Sequence, residues 1–77
     1  MDPTAAKKLK HWLGRHGWGR LTQEPAPVVH VRRSMVEPAR GDQAAQAELE
    51  AFLAPFGLRV KPLGTSQFEA MWEVVPA

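Results

Sequence analysis

The segment LRVKPLGTSQFEAMWEV, residues 58–74, contains two runs in which apolar and polar side chains alternate. The runs cover residues 58–61 and 68–74, and Pro62 and Gly64 lie between them. Alternation with a period of two is typical of strands that bury one face, whereas proline and glycine favour a turn. The segment therefore predicts an antiparallel β-hairpin.

The side-chain pattern also predicts the register of this hairpin. Val60 is expected opposite Ala70, because this pairing collects the apolar residues of both strands on one face. The other expected pairs are Leu58 with Trp72 on the buried face and Lys61 with Glu69 on the open face. The large residues expected in the core of the protein are Leu49, Phe52, Leu53, Val60, Phe68 and Trp72.

A helix is predicted directly before the hairpin, over residues 42–54. Asp42 is a suitable N-cap residue, and Pro55 and Gly57 end the helix because neither favours its continuation. Between these limits apolar residues recur at the spacing of one helical face, at Ala45, Leu49, Phe52 and Leu53.

A further strand is predicted over residues 28–33, where Val29 and Val31 share one face and His30 lies on the other. A right-handed connection through the helix sets this strand parallel to the first hairpin strand, with the last strand between them. The sequence thus predicts an α+β fold of order α-β-α-β-β. Its two helices pack on one face of a three-stranded mixed sheet, as a split β-α-β unit with strand order 1-3-2.

The N-terminal part of the chain predicts another helix, over residues 3–15. Asp2 is placed to cap it, Pro3 to occupy its first position, and Gly17 to end it. One side of this helix is apolar and the other is basic.

The sequence predicts a single domain, because 77 residues are too few for two hydrophobic cores. Glycines and prolines separate the first helix from the remainder and disfavour helix in between. The expected parts of the domain 1–77 are the helix, a Gly-rich loop over 16–20, a Pro-rich connector over 22–27 and a β-α-β-β unit over 28–75.

The composition, with 44% hydrophobic and 23% charged residues, is typical of a globular protein. The chain contains no cysteine, which excludes disulfides and thiolate metal sites and favours a reducing compartment. Its apolar runs are too short for a signal peptide or a membrane span. We expect a cytoplasmic protein that does not associate with membranes.

Charge is distributed unevenly along the chain. Residues 1–40 carry eight Lys and Arg against three Asp and Glu, whereas residues 41–77 carry two against five. All three histidines also lie in the first part. The N-terminal part is therefore expected to bind an anionic partner.

No motif in the sequence indicates catalysis. The histidines and serines lack the spacing typical of a nucleophile and its base, and there is no glycine-rich phosphate loop. His11 and His16 are five residues apart, so on a helix they diverge and do not share a metal ion as residues four apart do. We expect no enzymatic activity, no cofactor and no metal site.

The first helix, followed by His16-Gly17-Trp18, resembles the opening helix of the HicA family of toxin ribonucleases. In that family a strand with a catalytic histidine follows a basic amphipathic helix. This chain lacks the family's Gly-Ser-His-His segment, has a lone His30 on its predicted strand, and ends in a hairpin where the family ends in a helix. No activity or residue role is assigned from the resemblance.

The first functional hypothesis is nucleic-acid binding by the basic helix and the glycine-rich loop. Their basic side chains are placed to contact phosphates, and Trp18, between two glycines, is placed to stack on a base. Two structural explanations stay open: a solvated helix face, and a Trp18 that closes the end of the core. The expected contact residues are Lys7, Lys8, Lys10, His11, Arg15, Trp18 and Arg20.

The second hypothesis is a protein-interaction module. An apolar patch with a charged rim is typical of a protein interface, and methionine is frequent in such patches. The residues expected in this patch are Met71, Val75 and Met35. A homodimer that joins acidic to basic surfaces belongs to the same hypothesis, as does a small phage or mobile-element protein that inhibits a host complex.

Overall fold

The computed structural model describes residues 1–32, 41–66 and 68–77, and only the backbone of residues 41–43. Over these residues the fold is α+β, with two helices and a four-stranded antiparallel sheet. In chain order the elements are α1 (Pro3–His16), β1 (Gly19–Thr22), β2 (Val28–Arg32), α2 (Gly41–Leu53), a 3-10 turn (Ala54–Phe56), β3 (Leu58–Thr65) and β4 (Glu69–Pro76). Neither helix, over its described residues, has the length and apolar character needed to cross a membrane.

Local signals determine both ends of α1. The side chain of Asp2 accepts a hydrogen bond from the backbone N–H of Ala5 at 3.3 Å, and Pro3 follows it in the first turn. Gly17 ends the helix in the left-handed conformation, with φ of 65°, which glycine adopts without steric cost. The predicted helix over residues 3–15 is confirmed and extends one residue further.

The prediction of three strands is wrong, because β1 lies where a loop over 16–20 and a connector over 22–27 were expected. β1 pairs with β2, and the backbone N–H of Arg32 extends the ladder to the carbonyl of Trp18 at 2.8 Å. Gly19 permits this close pairing, since a Cβ at that position would collide with a backbone carbonyl of β2. A strand of four residues that begins with glycine shows little of the alternation by which strands are recognised in a sequence.

The strand order is β1-β2-β4-β3. The last strand therefore lies between the two strands that flank α2, as the sequence predicted. Every neighbouring pair is antiparallel, however, so the prediction of a mixed sheet is wrong. β2 and β3 do run in the same direction, but β4 lies between them and pairs with both in the opposite direction.

The hairpin of β3 and β4 is confirmed, but its register is displaced by four residues from the predicted one. Val60 lies opposite Val74 rather than Ala70. Because four is an even number, each side chain remains on the predicted face of the sheet. The other changes are Lys61 opposite Glu73 instead of Glu69, and Leu58 opposite Pro76 instead of Trp72.

A tight turn between β3 and β4 explains the displaced register. The hydroxyl of Ser66 accepts hydrogen bonds from the backbone N–H groups of Phe68 at 3.1 Å and Glu69 at 3.0 Å. This turn lets β3 continue through Pro62 as far as Thr65, where the sequence predicted a loop. Phe68 belongs to the turn and is 71% exposed, so the prediction that it is buried is wrong.

Both helices and the sheet share one hydrophobic core. The buried side chains of β2, β3 and β4 lie on one face of the sheet and form a single cluster with those of α1 and α2. The predicted burial of Leu49, Leu53, Val60 and Trp72 is confirmed, whereas Phe52 is only partly buried. Both helices therefore cover the same face, and we call the other face the open face of the sheet.

Candidate functional site

The exposed side of α1 presents basic side chains at regular intervals. Lys7, His11 and Arg15 are four residues apart, so they form one line along the helix, which we call the basic row. All three are exposed. Four residues correspond to an advance of about 6 Å along the helix axis. The basic row thus places three basic groups at an even spacing along one side of the protein.

A second line of residues runs beside the basic row, on the side of α1 that faces α2. Lys8 is exposed on this line and Trp12 is half-buried. An open cleft of about 760 Å³ runs along both lines of α1, beside one residue of α2. The residues that line the cleft are Pro3, Thr4, Lys7, Lys8, His11, Trp12, Arg15 and, from α2, Phe52.

Aromatic rings form the floor of the cleft. The rings of Trp12 and Phe52 stack with their centroids 5.0 Å apart and an interplanar angle of 23°. The ring of His16 lies 4.2 Å from that of Trp12, and its Nδ1 lies 2.9 Å from the carbonyl oxygen of Trp12. Trp12 therefore contacts rings from both helices, and it lines the cleft together with Phe52.

The rim of the cleft is basic. Four basic side chains line it, and no carboxylate of the described residues does so. The ammonium group of Lys8 also lies 5.8 Å from the centroid of the Phe56 ring, a distance typical of a cation–π contact. A ligand that fits this cleft therefore combines negative charge with an apolar, flat part.

The structure brings together four of the seven residues that the sequence predicted as nucleic-acid contacts: Lys7, Lys8, His11 and Arg15. Lys10 and Arg20 lie elsewhere, at a smaller depression of about 220 Å³ between α1 and β1. The guanidinium of Arg20 donates a hydrogen bond of 2.7 Å to the carboxylate of Glu69 on the open face.

Trp18 does not belong to the exposed surface. It is 4% exposed and packs within the core, with its ring 5.1 Å from that of Trp12 in an edge-to-face arrangement. The expectation that Trp18 stacks on a base is therefore corrected: it closes the end of the core. The aromatic residue at the basic surface is Trp12, whose position four residues after Lys8 is the sequence signal that would have identified it.

The residues predicted for a protein interface lie on the open face of the sheet. Met71 and Val75 point to this face from β4 and are half-buried. Met35 lies outside the described residues. The charged side chains of Glu69 and Glu73 alternate with the apolar pair along the same strand, so this surface is mixed in character.

A small polar network surrounds His30 at the centre of the open face. Its Nε2 lies 3.0 Å from the hydroxyl of Thr22, and its Nδ1 lies 3.8 Å from the Glu69 carboxylate. The hydrogen bond from Arg20 lowers the pKa of the Glu69 carboxyl below its usual value of 4.5, against the opposing effect of desolvation. The network connects side chains of β1, β2 and β4 across the open face.

Within the described parts of the chain, no three His, Asp or Glu side chains come close enough together to hold a metal ion. Comparison with protein-family models, with curated proteins and with solved structures finds no match to this chain. The chemistry of the cleft is therefore the main indication of function.

Proposed function

We propose that this is a non-enzymatic protein that binds nucleic acid through the basic row of α1. The observation that supports the proposal is the cleft, which four basic side chains line without a carboxylate among its described residues. Nucleic acids are polyanions, and neutralising their phosphates with Lys and Arg releases counterions, which drives association.

The spacing of the basic row supports the same ligand. Lys7, His11 and Arg15 present basic groups at successive intervals of about 6 Å, which allows one polyanionic strand to run along the helix. A ligand with a single negative charge would use only one of these groups. A chain of regularly spaced phosphates uses all three.

The open face of the sheet is a weaker candidate for the same ligand. Two of its basic residues lie beside carboxylates: Arg20 pairs with Glu69, and Lys61 lies opposite Glu73. These carboxylates neutralise part of the positive charge and repel phosphates. The basic side of α1, which has no carboxylate among the described residues that line its cleft, is therefore the better surface for a polyanion.

The test uses fluorescence anisotropy with labelled oligonucleotides at about 50 and 200 mM salt. Arg15→Glu places a negative charge in the cleft, and Arg59→Glu makes the same change at an exposed position of β3. We expect Arg15→Glu to weaken binding and to reduce the slope of log affinity against log salt by about one. Arg59→Glu should leave both quantities close to the wild-type values.

Two results would overturn the proposal. The first is the absence of binding at the lower salt concentration for both DNA and RNA. The second is an equal effect of Arg15→Glu and Arg59→Glu, since the contribution of the cleft would then not differ from that of a general positive charge.

Met71 and Val75 are only half-buried, so part of their apolar surface is accessible on the open face. This favours a second candidate function, protein–protein interaction. Interfaces of this kind depend on apolar anchors more than on charged rims. Sedimentation over a range of protein concentrations tests the homodimer form of this proposal. Self-association that Met71→Glu abolishes and Arg15→Glu leaves intact would support it, and a monomer at all concentrations would exclude the homodimer.

A further inference from the structure

We propose that the cleft selects single-stranded over double-stranded nucleic acid, because it receives an unpaired base against Trp12 and Phe52 while the basic row holds the backbone. This inference rests on the proposed function and specifies its ligand. A basic row alone binds the phosphates of any nucleic acid and does not distinguish a duplex from a single strand.

The size of the cleft fits this role. Its volume of about 760 Å³ lies within the range of about 300–1,000 Å³ that is usual for sites that bind small organic groups. A base that enters the cleft would bury apolar surface against the two rings, in addition to the contacts of its phosphate. In a duplex the bases are stacked and paired, so their faces are not available for this contact.

The arrangement of the rings determines how a base is held. The rings of Trp12 and Phe52 are stacked with their centroids 5.0 Å apart, so a base cannot be inserted flat between them without separating them. It meets instead the parts of these two rings that line the cleft, together with the hydrocarbon part of the Lys8 side chain. We therefore expect a smaller contribution from each base than on a fully exposed aromatic platform.

The polar lining of the cleft indicates little sequence preference. Base edges are usually read by amide, carboxylate or bidentate arginine contacts, and the chain contains no asparagine at all. The polar residues that line the cleft are Thr4 and the four basic residues, which suit phosphates better than base edges. Single strands of different sequence should therefore bind with similar affinity.

The experiment compares one sequence of about twelve nucleotides as a single strand and as a duplex, by anisotropy at the same salt concentration. Phe52→Leu removes a ring from the cleft but keeps an apolar side chain. Phe68→Leu is the matched control, because Phe68 is 71% exposed in the β3–β4 turn. Circular dichroism and thermal melting verify that both variants are folded.

We expect the wild-type protein to bind the single strand more tightly than the duplex. Phe52→Leu should weaken single-strand binding by about fivefold, the lower end of the cost of losing a base–aromatic contact. Its effect on duplex binding should be negligible, and Phe68→Leu should affect neither ligand. Arg15→Glu should weaken binding to both, because it acts through the phosphates.

A second measurement needs no substitution. Of the three tryptophans, Trp18 and Trp72 are buried and Trp12 is half-buried at the cleft. A base in the cleft should therefore quench the fluorescence of Trp12, and a duplex bound through its phosphates should quench it less. This result does not depend on the folding of any variant.

Equal affinity for the single strand and the duplex, with equal quenching, would overturn the inference and leave the proposed function standing. An equal change of single-strand binding in Phe52→Leu and Phe68→Leu would also overturn the inference and leave the proposed function standing. If the wild-type protein binds neither ligand at low salt, both the inference and the proposed function are rejected.

Discussion

The ring of Trp12 on α1 lies nearly parallel to the ring of Phe52 on α2, with centroids 5.0 Å apart. This contact joins the two helices above the core that they share with the sheet. The same pair forms the floor of the cleft, so residues with a proposed binding role also contribute to stability. Tests of binding must therefore preserve apolar volume at these positions, which is why leucine is preferable to alanine at position 52.

Trp18→Ala should be strongly destabilising. Its indole is 4% exposed within the core, and replacing a large buried aromatic residue by alanine costs about 3–5 kcal/mol. Denaturation by urea, followed by far-UV circular dichroism, measures the change. Trp12→Ala is the comparison, and its cost should be smaller because Trp12 is only half-buried. Equal stability of Trp18→Ala and the wild type would show that Trp18 is not a core residue.

Two glycine-to-alanine substitutions should have opposite effects. At Gly19 a Cβ collides with the carbonyl oxygen of His30, so Gly19→Ala must separate β1 from β2 and should cost about 1–3 kcal/mol. At Gly14, inside α1, no atom lies within 4 Å of the added Cβ, and Gly14→Ala should stabilise the helix by about 0.5–1 kcal/mol. Thermal melting of the two variants measures both effects, and a stabilising Gly19→Ala would contradict the close pairing of the strands.

The parts of the fold that the sequence predicted correctly depend on local signals. The ends of α1 follow from Asp2, Pro3 and Gly17, each of which acts within one helical turn. α2 was predicted over residues 42–54 and spans Gly41–Leu53. The agreement is close because the signals used, Pro55 and the spacing of the apolar residues, are also local. The faces of the hairpin strands follow from alternation alone.

The errors concern features that depend on contacts distant in the sequence. β1 is a strand because β2 pairs with it and not because its own residues favour one. Alternation cannot distinguish registers that differ by an even number of residues, so the tight turn at Ser66 determined the pairing of β3 with β4. The basic side of α1 was predicted from the sequence. The burial of Trp18 in the core was not, because it depends on tertiary packing.

Glu50 should stabilise an edge of the sheet by accepting a hydrogen bond from a backbone N–H group that pairs with no neighbouring strand of the described residues. Its carboxylate accepts a hydrogen bond of 3.2 Å from the backbone N–H of Val60 on β3, an edge strand. Glu50→Ala removes the acceptor and should cost about 0.5–1.5 kcal/mol, whereas Glu50→Gln retains an oxygen acceptor and should cost less. Pro62, on the same strand, has no N–H to expose. Urea denaturation of the wild type and both variants measures these changes. If Glu50→Ala is as stable as the wild type, this hydrogen bond contributes nothing to stability.

Loss of the ion pair between Arg20 and Glu69 should change the pKa of the Glu69 carboxyl. The hydrogen bond from Arg20 holds the pKa of Glu69 below 4.5 in the folded protein. The stabilisation from this pair is therefore complete above about pH 4.5 and is lost as the pH falls through the lower, folded pKa. Arg20→Gln should raise the pKa of Glu69, as measured by NMR titration of its side-chain carboxyl.

Arg32→Gln is the control for this titration, because Arg32 lies directly opposite Glu69 in the ladder between β2 and β4. The hydrogen bond to Glu69 comes instead from Arg20 on β1, one strand further away along the sheet order. Arg32→Gln should therefore move the pKa of Glu69 much less than Arg20→Gln does. An equal upward shift in both variants would mean that general positive charge, and not the specific hydrogen bond from β1, lowers the pKa.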